Sequence, residues 1–183
     1  MSLIEITPLV VLTIILTVAV ITDIRFHKIP NWLTLPSMLF GICYMSITGS
    51  HGVAYSMAGL LLGICIFMPF YIAAGMGAGD VKLMGVIGVF LGPSGVFVAF
   101  LATAIIGGIY SIILLMLNGL LKETIIRYRL MVTTLLITRR LNYIPPEKGA
   151  KRPFMAYGVA IAIGTSIAVI IINYNLTFRG FKI

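Results

Sequence analysis

From Leu3 to Ile21 the chain carries a single charge, Glu5, and uncharged apolar stretches of about 17–22 residues recur along the rest of it. Wound as an α-helix, a stretch of that length matches the hydrocarbon thickness of a bilayer. Inside a bilayer, every backbone N–H and C=O must find its partner within the helix or around a closed barrel. These stretches lack the in-and-out alternation of a transmembrane strand, so helices are expected. A content of 60% hydrophobic and 10% charged residues excludes an ordinary soluble domain, as does a mean hydropathy of +1.13. The expected fold is an all-α polytopic membrane protein, with residues 1–183 forming one membrane-embedded domain.

Glu5 precedes the first stretch while Arg25 and Lys28 follow it, the reverse of a cleaved signal peptide. The N-terminus is therefore expected outside and residues 23–31 in the cytoplasm. Further spans are expected at about 31–47, 53–74, 80–92, 95–117 and 154–172, about six in all, with Pro36 and Pro69 kinking theirs. The fourth is short, because only about thirteen residues separate Gly79 from Gly92-Pro93, or roughly 20 Å of helix against ~30 Å of hydrocarbon. Either the outer turn is sunk, or the Gly75–Gly79 segment already lies within the membrane.

The basic segment 118–153 holds Lys122, Arg127, Arg129, Arg139, Arg140, Lys148, Lys151 and Arg152. On a helix, Lys122, Arg129 and Arg140 form one stripe, the pattern of a cytoplasmic amphipathic helix lying in the interface against anionic lipid. This topology puts eleven Lys/Arg inside and leaves Arg179 and Lys182 outside. The net charge of +8 is thus explained by loops, and the lipid membrane rather than nucleic acid is the expected partner.

Asp23 and Asp80 are the only aspartates, and both fall on the cytoplasmic side although neither was used to set the topology. An ionisable group at membrane depth costs at least ~2.5 kcal/mol on insertion scales and marks a functional candidate. Ion pairs offer a plain alternative: Asp23 with Arg25 or Lys28, and Asp80 with Lys82. Brought together, the two carboxylates would share a proton near neutral pH, one acting as base towards water and the other polarising a peptide carbonyl. No metal or other cofactor is expected: Cys43 and Cys65 form no CxxC pair and read as core residues, and His27 and His51 lack a ligand spacing.

Gly75, Gly77 and Gly79 precede Asp80. They serve either as helix punctuation and packing residues or as a bendable backbone that admits an extended substrate, with Gly77, Gly79 and Lys82 as its contacts. A phosphate loop is not indicated, since the Gly-Lys-Ser/Thr ending is missing.

The stretch Gly77-Ala78-Gly79-Asp80-Val81-Lys82-Leu83-Met84 resembles the GxGD signature of the prepilin peptidases, a family of intramembrane-type aspartic proteases. Asp23 followed by Ile29-Pro30-Asn31 is similar to that family's first aspartate motif, and Tyr157-Gly158-Val159-Ala160-Ile161-Ala162 to its final-helix pattern. Presenilin-like proteases share GxGD alone; the three motifs in this order are more specific. The resemblance implies a cytoplasmic-side endopeptidase of the inner membrane, with Asp23 and Asp80 catalytic, that removes the short basic leader from type IV pilin-like precursors after a glycine. The short form is similar to Flp/Tad-system enzymes, with archaeal preflagellin peptidases as the near alternative. Nothing here matches the CxxC-bearing N-terminal extension of larger members, so methyl transfer is not expected, and Ala156 stands where a proline often precedes Tyr-Gly. Two readings from other classes are a proton-coupled transporter, against which the lack of repeat symmetry counts, and a non-catalytic assembly subunit.

Overall fold

A computed structural model describes residues 3–48, 52–72, 75–138 and 156–180. Six helices follow in order: α1 (Leu3–Phe26), α2 (Asn31–Thr48), α3 (Gly52–Ile72), α4 (Ala78–Leu117), α5 (Leu121–Thr138) and α6 (Tyr157–Gly180). No strand occurs among the described residues. The chain divides into two compact units, Met1–Gly107 with Ala156–Ile183, and Gly108–Met155.

The expected fourth and fifth spans emerge as one element, α4, interrupted at Gly92 (φ 69°, ψ −175°). Pro93 lacks the N–H of a continuous helix, and its ring crowds the carbonyl four residues back. Gly92 supplies the left-handed backbone that lets the chain turn there. The ring of Tyr55 lies against Gly92 and leaves no room for a side chain, and Tyr55 Oη is hydrogen-bonded to Ser94 Oγ at 3.1 Å. By contrast, α2 and α3 run on through Pro36 and Pro69.

The shortness of the first half of α4 has a packing explanation. Val81 and every residue from Leu83 to Phe90 are buried, so this helix is covered on all sides. A helix apolar all round and buried all round is the centre of a bundle. Small residues let its neighbours come close: Gly59 of α3 lies against the Gly88 backbone, Gly63 against Met84, and Gly41 of α2 against Val89 and Phe90. Further along α4, Gly164 of α6 meets Thr103. Leu12, Ile15, Leu16 and Ala19 of α1 and Ile161 and Ala168 of α6 complete the core, and α1 packs on both α2 and α6.

Outside that core the surface is apolar, with Ile14, Leu39, Leu61, Ile105 and Ile170 all exposed. Meanwhile Asp23, Thr34, Ser37, Ser56, Asp80, Thr103 and Thr165 are buried. Ser37 and Thr165 hydroxyls donate to the carbonyls of Leu33 and Ile161, one turn back in their own helices. Polar groups inside and hydrocarbon outside is the arrangement of a protein solvated by lipid. Ile6–Phe26, Gly52–Ile72 and Ala78–Leu117 are long and apolar enough to cross a membrane, and Tyr157–Ile172 is a shorter apolar stretch. The protein is an all-α, polytopic integral membrane protein. One expectation needs correcting: Cys43 and Cys65 are exposed on α2 and α3 rather than in the core. A thiol is a small, weakly polar group that suits a lipid-facing position as well as an interior one.

The unit Gly108–Met155 contains the last turns of α4, a turn at Gly119 and α5. Gly119 (φ 69°) ends α4 in a Schellman arrangement, its N–H donating to Met116 O and that of Leu120 to Leu115 O. On α5, Lys122 and Arg129 are exposed, as are Ile125, Ile126, Leu130 and Ile137. Arg139, Arg140, Lys148, Lys151 and Arg152 lie outside the described residues, as do His51 and Lys182.

Candidate active site

Asp23 stands in the last turn of α1 and is 5% exposed; Asp80 stands in the first turn of α4 and is 7% exposed. Each is seated on a helix N-terminus, where the first backbone N–H groups lack intrahelical acceptors. Gly77 is the residue before α4, and its N–H donates to Asp80 Oδ2 at 3.0 Å. Asp80 N–H donates back to Gly77 O at 3.1 Å, so this acidic third residue closes its own helix cap. Asp23 is seated on a different helix: Gly158 N–H, in the first turn of α6, donates to Asp23 Oδ2 at 2.8 Å.

The two carboxylates are near enough for the charge of Asp23 to act on Asp80. Each uses one oxygen on a glycine N–H.

The ion pairs offered by the sequence do not form. Lys82 Nζ donates to Asn31 Oδ1 at 2.8 Å instead of meeting Asp80. Arg25 and Lys28 are exposed and unpaired with Asp23, and the basic side chain that acts on Asp23 is that of His27. His27 takes a left-handed backbone (φ 55°), and its N–H donates to Asp23 O at 2.9 Å, ending α1 directly after the carboxylate.

Of the three glycines, Gly75 and Gly77 are exposed, while Gly79 is half-buried. A Cβ on Gly79 would stand 2.9 Å from Ile29 Cβ and 3.1 Å from Ile29 O, so this glycine allows α4 to touch the α1–α2 linker. Gly158 has an equally tight reason to lack a side chain, since a Cβ there would stand 2.8 Å from Asp23 Oδ2. Gly158, Ile29 and Asn31, to which the sequence alone assigns no role in the site, are part of it in the fold. The signal was nonetheless present, because each belongs to one of the three motifs, and the fold brings all three motifs to one place. Among the described residues no three His, Cys, Asp or Glu side chains converge as metal ligands.

A sequence model described as the type IV leader peptidase family matches residues 10–112, more than half of the chain and the part that holds both aspartates. The chain belongs to the type IV leader peptidase family. Among curated relatives, this family member is 30% identical over 122 residues to the prepilin leader peptidase/N-methyltransferase of Bacillus subtilis (strain 168), covering 65% of the chain and 49% of that protein. It is 27% identical over 115 residues to the prepilin leader peptidase/N-methyltransferase of Aeromonas salmonicida (strain A449), covering 59% of the chain and 40% of that protein. It therefore spans half or less of the length of these relatives. No solved structure matches this leader peptidase family member.

Proposed function

We propose that this protein is a membrane aspartic endopeptidase that removes the short basic leader from type IV pilin-like precursors, with Asp23 and Asp80 as its catalytic pair. The observation that carries the reading is the seating of the chain's only two aspartates: both are buried, each is held by a glycine N–H, and they interact across the ends of α1 and α4. Family membership and the leader peptidase activity named for the relatives support the same reading.

In this mechanism one aspartate takes a proton from the attacking water while the other, protonated, donates to the scissile carbonyl oxygen. The roles reverse as the amine leaves. Removal from bulk water strengthens both interactions. Gly77, exposed beside Asp80, is the residue of the glycine run with room for an extended substrate backbone to approach. Gly79 and Lys82 are already engaged by Ile29 and Asn31. Arg25 and Lys28, which follow Asp23 in the chain, support a site at the cytoplasmic face of the inner membrane. A preflagellin-type precursor, with the same leader chemistry, is the near alternative substrate.

The test is co-expression with a pilin precursor and mass determination of the product. Wild type is expected to remove the leader, whereas Asp23→Asn and Asp80→Asn at equal membrane levels leave the precursor intact. Leader removal that survives either substitution takes that aspartate out of the mechanism. If wild type cleaves neither pilin nor preflagellin precursors while the substitutions alter proton flux in vesicles, the protein is a transporter instead.

A further inference from the structure

We infer that Asn31 and Lys82 form a clasp that holds Asp80 at its working distance from Asp23, making both of them positioning residues; the inference rests on the aspartic-peptidase reading above. The ends of α1 and α4 that carry the two carboxylates are connected through the α1–α2 linker. His27 ends α1 by donating to the carbonyl of Asp23 itself. Four residues on, Asn31 opens α2, and Pro30 O accepts from the N–H groups of Leu33 and Thr34, so the linker is anchored at both ends.

The linker then touches α4 at two points. Ile29 lies against the backbone of Gly79, and Asn31 Oδ1 accepts from Lys82 Nζ at 2.8 Å. Those two points bracket Asp80 in the sequence, one residue before it and two after. The Gly79 contact sets how closely α4 approaches the linker, but a single contact is a pivot about which a helix can turn. Lys82 projects about 200° around the helix from Asp80, on the far side from the carboxylate. A bond on that side resists the rotation that would swing Asp80 away from Asp23.

Lys82 is half-buried and Asn31 is exposed, and the amide oxygen supplies the ammonium with an acceptor. A carboxylate at position 31 would bind Lys82 as well, and that provides a conservative substitution for the test.

Turnover of a pilin precursor by the full-length protein in liposomes is to be measured for wild type, Lys82→Met, Asn31→Leu, the double variant and Asn31→Asp. Each single loss is expected to lower kcat about tenfold or more with KM within about twofold, since small misplacement of reacting groups is costly. The double variant is expected to fall no further than either single, because both remove the same bond, and Asn31→Asp is expected to retain kcat within about threefold of wild type. A rise in KM for Lys82→Met with Asn31→Leu unaffected, or multiplicative losses in the double variant, overturns the clasp and makes Lys82 a substrate contact. A wild type that cleaves no precursor overturns the peptidase reading and the clasp with it. Active wild type with uncoupled variants overturns the clasp alone.

Discussion

Gly158 shows how much chemistry a backbone donor can carry at a position where no side chain exists. Its N–H holds Asp23 Oδ2, and the space a methyl group would take is already filled by that oxygen. Alanine is the better helix former by ~1 kcal/mol. Gly158→Ala is therefore expected to leave thermal stability nearly unchanged while lowering the rate of precursor cleavage on the order of 100-fold, because the carboxylate has to move. Parallel melting and turnover measurements check this, and a large fall in stability with normal turnover per folded molecule would count against it. Gly79→Ala differs in kind. Its methyl group meets Ile29 Cβ and main chain, so a loss of ~1–3 kcal/mol in stability is expected from overpacking, readable by denaturant titration in detergent. Asp23, Asp80 and the glycine run were legible in the sequence because an isolated carboxylate in an apolar chain is conspicuous. The partners were not, since a backbone N–H has no letter of its own.

At the scale of elements, α4 is where local sequence and packing divide the work. Gly92-Pro93 marks a break in any reading of the chain, and a break is present, with Gly92 at φ 69°. What the sequence left open was why the preceding helix is so short. Its burial from Leu83 to Phe90 answers that, since a helix wrapped by others does not have to match the bilayer with its own surface. The approach of α3 depends on Gly59 and Gly88, whose backbones touch. Gly88→Ala is expected to force α3 and α4 apart and to cost ~1–3 kcal/mol, seen as a lower midpoint in denaturant unfolding. Gly108→Ala, where a Cβ meets nothing within 4 Å, is the control and is expected to be neutral or slightly stabilising.

At the scale of the whole molecule, the described residues differ from those of a soluble protein on the outside, where large Ile, Leu and Phe side chains are exposed, while the core is apolar and also encloses hydroxyls and the two carboxylates. Cys43 and Cys65, both exposed on helices, report on that surface directly. A charged maleimide is expected to leave both unmodified in sealed liposomes and to label both after denaturation, because thiolate formation needs water. Rapid labelling of either thiol in the bilayer would place that face in water. Orientation is a separate matter: a cysteine introduced at exposed His27 in a background lacking the other two is expected to react only from the cytoplasmic side. Helical class, membrane residence, the place of the chain break and the two candidate carboxylates all follow from the sequence alone, since each rests on local composition, hydropathy length or a backbone-restricting residue. Which oxygen meets which N–H, why Gly79 and Gly158 cannot be larger, and that Lys82 turns to Asn31 instead of Asp80 were decided by tertiary structure. Those are contacts between elements distant in the chain, and they depend on how helices approach and rotate against one another.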